Sequence, residues 1–232
     1  MAAQKNNTLH THITSVKKGE RAFENAFQSV SRMILGQKID KVMVNGKSTF
    51  DFQIFRESKK HIIGMYDEIN SFVSFVKDAS EGGSSKEMAF VLVGEPGNGK
   101  TFLVEYLCGI YRNFLSIPEN RKYTFRFTNL DQIGGYGNIK TIESQTYEDP
   151  MVLAMNTHES RAESEQYLTR RYRVSDAELM QWYDNYRPLG ACSAYIWNDI
   201  RNFTDGKIED MLNFVEIVPV PLIESLGTVT GK

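Results

Sequence analysis

The chain has 232 residues, enough for one large domain or for one domain with a smaller appendage, and it can bury an apolar core without disulfides. Its 27 basic and 29 acidic side chains leave a net charge of -2, which excludes a strong field for nucleic acid or anionic lipid. Two cysteines without metal-ligand spacing, no signal-like N-terminus and no long apolar run predict a cytoplasmic protein that binds neither nucleic acid nor membrane.

The N-terminal quarter predicts small, local elements. Residues 1–20 are polar, and we expect a mobile arm. Apolar residues recur at helical spacing over 21–35, and Gly36 is expected to end that helix. Residues 41–55 alternate around Asn45-Gly46, a pair typical of a tight hairpin turn. We therefore expect a helix and hairpin appendage over 21–58, followed by one domain over 59–232.

The central region predicts a parallel strand–helix–strand unit. After an amphipathic helix within 61–77 comes the apolar run Met88–Val93, typical of a parallel strand that is covered on both faces. Residues 100–114 have helical spacing, and the alternation of 123–130 suits a second strand. A crossover helix between two strands favours parallel pairing.

The C-terminal region predicts further helices with less definition. The serine and acidic first turn of Ser175–Tyr183 indicate a capped helix. Cys192–Phe203 and Ile208–Val215 suit either a helix or a strand.

The most informative motif is GEPGNGKT at 94–101, a full GxxxxGKT that follows the apolar run and opens the helix. Glycines let the backbone wrap closely around phosphate oxygens, and a helix start adds partial positive charge. Lys100 would neutralise the β- and γ-phosphates of ATP, and the Thr101 hydroxyl would bind Mg²⁺. The predicted nucleotide-binding residues here are Gly94, Glu95, Pro96, Gly97, Asn98, Gly99, Lys100, Thr101 and Phe102.

A catalytic acid is harder to assign. Phosphoryl chemistry usually needs a carboxylate at a strand end, and Glu216 in MLNFVEIV is the nearest candidate, beside Lys100 as the catalytic cation. An exposed glutamate on an ordinary amphipathic element explains the pattern equally well, and Asp131, Glu143 and Asp149 are further candidates for the acid. The run Arg170–Arg173 suits either a phosphate contact or a solvated face.

The pieces FENAFQSVSRMIL, GMYDEI, GEPGNGKT, ACSAYIWNDI and LNFVEI occur in an order that resembles the N-terminal AAA domain of the PrkA family of serine protein kinases. The resemblance implies an α/β P-loop NTPase fold of AAA type, with a parallel sheet flanked by helices, and transfer of the ATP γ-phosphate to a protein serine. It also implies a truncated chain, since the family continues beyond Lys232. A homo-oligomer is compatible with this type of domain.

At the spacing of Ile62 and Ile63 from the glycine motif, AAA-type proteins contact adenine, although a core-facing isoleucine pair is the equal alternative. Two other functions stay open beside the kinase. One is an ATPase that remodels a partner, and the other is a nucleotide-gated interaction module with negligible turnover.

Overall fold

A computed structural model describes residues 8–57 and 61–222. The helices are α1 (Leu9–Lys17), α2 (Ala26–Leu35), α3 (Tyr66–Ser80), α4 (Lys100–Ser116), α5 (Met151–Ala154), α6 (Arg161–Tyr172), α7 (Asp176–Asn185), α8 (Ala191–Phe203) and α9 (Ile208–Met211). The strands are β1 (Ile39–Val44), β2 (Lys47–Phe52), β3 (Tyr123–Phe127), β4 (Ile142–Glu143) and β5 (Val215–Pro219).

The chain divides into two compact units. The described residues of unit 1 are 8–23 and 118–221, and those of unit 2 are 24–57, 61–117 and 222. Unit 2 contains the predicted appendage from residue 24 onward together with about the first third of the predicted nucleotide-binding domain.

Unit 2 contains the elements that the local sequence predicts best. A reciprocal capping box between Asn25 and Gln28 starts α2, and Gly36 caps its end, as expected. The predicted hairpin is confirmed: β1 and β2 pair antiparallel, and Asn45 and Gly46 have φ values of 51° and 77°. The core of unit 2 lies between α2, the end of β2, α3 and α4, and its buried members include Phe55, Ile69 and Leu103.

The strand predicted at Met88–Val93 is absent. Residues 89–93 have no regular secondary structure, and Val91 and Val93 are 71% and 89% exposed. Phe90 lies 5.4 Å from the rings of both Phe72 and Phe75, so one face of the segment packs against α3. Within the described part of the chain, the backbone of residues 89–93 makes no hydrogen bond, so the segment has no strand partner.

The expected parallel sheet of an AAA-type P-loop fold is contradicted. In unit 1, β3 is the central strand and pairs antiparallel with both β4 and β5. Its partner β5 follows almost ninety residues later in the chain, and the two strands bury Phe125, Phe127 and Ile217 in the core. The expected parallel pair does not occur because its first strand, at residues 88–93, does not form, so α4 connects no two strands of one sheet. The described residues contain two small antiparallel sheets and no parallel pair.

The expected mobile arm also needs correction. Residues 9–17 of it form α1, whose N-cap Thr8 accepts a hydrogen bond from the amide of Thr11. Leu9, Ile13 and Val16 are buried in the core of unit 1, at a helical spacing that the surrounding polar residues hid. Residues 1–7 of that arm lie outside the described residues, as do residues 223–232 at the end of the stretch that resembles PrkA.

The helix predicted after Ser175 is confirmed, because the Ser175–Glu178 capping box starts α7. The Cys192–Phe203 candidate, which suited a helix or a strand, is a helix and lies entirely within α8. Ile208–Val215 divides into α9, a short 3-10 turn and the first residue of β5. None of the helices in the described ranges is both long and apolar enough to cross a bilayer.

Candidate phosphate-binding loop

The glycine motif forms a wound loop at the start of α4. Gly97 and Gly99 have φ values of 89° and 74°, a left-handed conformation that glycine adopts at little cost. A weak turn bond of 3.5 Å joins the amide of Asn98 to the carbonyl oxygen of Glu95, next to Pro96. The loop is exposed for most of its length, so an anion could reach its backbone amides.

Lys100 closes this loop. Its ammonium Nζ donates to the carbonyl oxygens of Gly94 and Glu95 at 2.7 and 2.6 Å. A Cβ added to Gly94 would lie 3.7 Å from the same Nζ, which shows how tightly the side chain folds over the loop. The full positive charge therefore lies beside the start of the loop, held by two neutral carbonyl groups.

The start of α4 supplies free backbone donors. The first hydrogen bond of this helix joins the amide of Leu103 to the carbonyl oxygen of Gly99 at 2.9 Å. The amides of Lys100, Thr101 and Phe102 precede it, and no partner for them occurs among the described residues. Thr101 and Phe102 are exposed, while buried Leu103 anchors the helix in the core of unit 2.

The two predicted adenine contacts, Ile62 and Ile63, differ in their exposure to solvent. Ile62 is buried in the core of unit 2, as the structural alternative expected, whereas Ile63 is 82% exposed. Both precede Met65, whose sulfur would lie 3.5 Å from a Cβ on Gly99. Met65 thus brings the end of this segment against the glycine loop and leaves Ile63 as its exposed apolar side chain.

Sequence analysis missed Arg56, which fixes that segment. The Arg56 guanidinium donates to the carbonyl oxygens of Ile62 and Gly64 and forms an ion pair with Asp51 at 2.8 Å. It also lies over the ring of Tyr66, 4.7 Å from the centroid. Bonds from a side chain to backbone carbonyls leave no pattern in a sequence, so no signal pointed to Arg56.

Glu216 lies on β5 in unit 1, whereas Lys100 belongs to unit 2. Its Oε2 accepts from Nη2 and Nε of Arg126 at 2.7 and 2.8 Å, directly across the β3–β5 ladder. This carboxylate therefore has a structural partner, as the ordinary alternative expected. Its predicted catalytic role stays a prediction.

No protein-family model, no curated protein and no solved structure matches this chain. The geometry of the glycine loop and its neighbours is therefore the evidence for a function.

Proposed function

We propose that this protein binds ATP with Mg²⁺ through residues 94–101. The observation that carries the proposal is the combination of a left-handed glycine loop, a helix start with unpaired amides and a lysine ammonium 2.6–2.7 Å from the loop carbonyls. A polyphosphate would accept hydrogen bonds from these amides and from the ammonium group. The proposal concerns the loop alone and does not depend on a parallel sheet.

The electrostatics of the loop support a polyphosphate. Binding would exchange the two neutral carbonyl partners of Lys100 for charged phosphate oxygens, and hydrogen bonds to charged groups are roughly twice as strong. The exposed Thr101 hydroxyl lies in the first turn of α4, where it fits a single protein ligand to Mg²⁺. Magnesium typically takes few protein ligands and obtains the others from phosphates and water.

The contact of the Ile62–Met65 segment with the glycine loop, through Met65, supports a position for the adenine base of ATP beside this segment. Ile63 is apolar, exposed and connected through Met65 to the loop, so we assign it to contact the adenine ring. Ile62 is assigned to the core that supports this segment. We also propose that the protein is cytoplasmic, as the sequence predicts.

Calorimetric titration with ATP and Mg²⁺ tests the function. We expect Lys100→Ala to weaken binding about tenfold or more, because a charged hydrogen-bonding group is lost. Lys86→Ala, which removes an exposed lysine of the same unit, is the control and should leave affinity unchanged. Equal affinities for wild type and Lys100→Ala would contradict the proposal.

The fate of the γ-phosphate needs a separate assay. Incubation with γ-labelled ATP distinguishes the three functions: label on protein serine supports the kinase that the PrkA resemblance implies, and free phosphate alone supports an ATPase. Binding without turnover supports the nucleotide-gated module. The ion pair between Glu216 and Arg126 favours this last outcome, because the proposed acid is already engaged. Glu216→Gln leaving an observed turnover unchanged would remove Glu216 from the catalytic residues.

A further inference from the structure

Unit 1 contains three adjoining cavities around His158, of about 400, 270 and 180 Å³. His158 lines all three, and Asn156, Glu159 and Tyr186 line both smaller ones. The glycine motif belongs to unit 2, so none of the residues that line these cavities is part of the loop proposed above.

Arginines dominate the charge of these walls. Arg170 and Arg171 line the largest cavity, Arg201 the middle one and Arg161 the smallest, against the carboxylates of Glu159 and Glu163. Arg161 pairs with Glu165 at 2.7 Å, and Arg171 approaches Glu209 at 3.6 Å. Within the described ranges, Arg170 and Arg201 have no ion pair.

Arg201 is the unusual member of this group. It is half-buried, and its guanidinium donates to the carbonyl oxygen of Asn156 at 2.7 Å and to Oδ1 of Asn198 at 2.8 Å. Its Nε is fully buried, with no hydrogen-bond partner in the part of the chain that the structure describes. Desolvation by burial lowers the pKa of Arg201, but an arginine remains charged at neutral pH.

The hydrogen-bond partners of the half-buried Arg201 guanidinium are all neutral, and the Glu159 carboxylate in the same cavity acts on it only through space, so a small anion would add a directly bonded charged partner. Trp197, although only 1% exposed, and Asn198 also line this cavity. Its volume of about 270 Å³ is slightly below the range of roughly 300–1,000 Å³ typical of drug-sized ligands, which points to a small molecule.

We propose that the cavity lined by Arg201, Asn198, Trp197 and Asn156, here called the Arg201 cavity, binds a small anion with one carboxylate or phosphate group. The anion accepts from the Arg201 guanidinium, and the Asn198 amide supplies a further donor. Trp197 and Tyr186 cover the remainder of the ligand.

Trp197 provides a direct readout. Its indole N–H donates to the carbonyl oxygen of Asn156 at 2.7 Å, and this oxygen also accepts from Arg201. The chain contains two tryptophans, so the indole region of a ¹H–¹⁵N spectrum holds two signals, which Trp182→Phe assigns. We would titrate the full chain with inorganic phosphate and, separately, with acetate at constant ionic strength.

We expect a saturable shift of the Trp197 signal with at least one probe, and the probe with higher affinity identifies the anionic group. Arg201→Gln should weaken binding about tenfold or more. Asn198→Asp provides a second variant that keeps the arginine, because a carboxylate placed 2.8 Å from its Nη1 would compete with the ligand. Arg121→Gln removes an exposed positive charge from the same unit and should leave affinity unchanged.

The same titration in Lys100→Ala separates the two proposals, since loss of phosphate binding at residues 94–101 should not alter the Trp197 response. Absence of a saturable shift with both probes would overturn the assignment. Equal affinity in wild type and Asn198→Asp would overturn it as well, and this second criterion holds even where Arg201→Gln fails to fold.

Discussion

Two segments of the molecule have the composition of a strand, but only one of them is part of a sheet. Residues 123–127 form β3, which pairs on both sides and buries Phe125 and Phe127. Residues 88–93 are more uniformly apolar, yet no strand pairs with them among the described residues, and Val91 and Val93 face solvent. An apolar run is thus not sufficient for a strand, which also needs a partner with a matching edge.

The presence of a pairing strand explains why residues 123–127 form a strand and residues 88–93 do not. The β5 strand presents alternating buried residues, Val215 and Ile217, in register with Phe127 and Phe125 of β3. The 88–93 segment instead packs one face, through Phe90, on the rings of α3. Packing in unit 2 therefore covers part of Phe90 and Leu92, whereas Met88, Val91 and Val93 stay exposed.

We expect the largest loss of stability from a substitution in the paired segment, residues 123–127. Phe127 is buried between Phe125 and Trp197, with ring centroids 5.2 and 6.3 Å away. Phe127→Ala should lower the free energy of unfolding by about 3–5 kcal/mol, because it removes a core aromatic ring and leaves a cavity. Denaturant unfolding followed by tryptophan fluorescence measures this loss. Phe50→Ala, at a half-exposed phenylalanine of β2, is the matched control and should cost much less.

We expect an intermediate loss of stability when the cross-strand ion pair between Arg126 and Glu216 is removed. Arg126 and Glu216 are directly opposite each other, and each is about one-third exposed. Glu216→Gln should therefore cost only about 0–1 kcal/mol of unfolding free energy, with a smaller cost at high salt. Urea unfolding at two salt concentrations checks the prediction. A loss of several kcal/mol would mean that this pair, rather than the apolar side chains, holds β5 in place.

The smallest effect is expected in the unpaired segment. Val91→Ala and Val93→Ala should each change the free energy of unfolding by no more than about 0.5 kcal/mol, because both side chains are exposed. Ile217→Ala in β5 is the buried counterpart and should cost about 2–5 kcal/mol. Parallel stability measurements on the three variants test the comparison directly. A loss above about 2 kcal/mol at Val91 or Val93 would indicate a buried strand.

Local signals in the sequence predicted local structure. The Asn45-Gly46 turn, the Gly36 cap and the Ser175 capping box depend on residues within a few positions of one another, and all three occur in the structure. Sheet pairing depends on residues far apart, such as Arg126 and Glu216, for which periodicity carries no information. The α1 helix was missed because its apolar positions are few and scattered among polar residues.

The two candidate sites differ in the same respect: one consists of adjacent residues, and the other of residues from separate segments of the chain. Residues 94–101 could be named in advance because a contiguous motif specifies both the backbone conformation and the lysine. The Arg201 cavity collects residues from the 156–159 segment, the region before α8 and α8 itself. The sequence drew attention to the nearby run Arg170–Arg173 and gave no reason to consider Arg201.

The guanidinium of Arg56 has a mechanical consequence for the glycine loop. It joins Asp51 at the end of the hairpin to the carbonyls of Ile62 and Gly64, and Met65 directly after them lies against Gly99. A tilt of the hairpin would therefore displace Met65, which lies beside Gly99. A force applied to β1 and β2 would in this way be transmitted to the glycine loop.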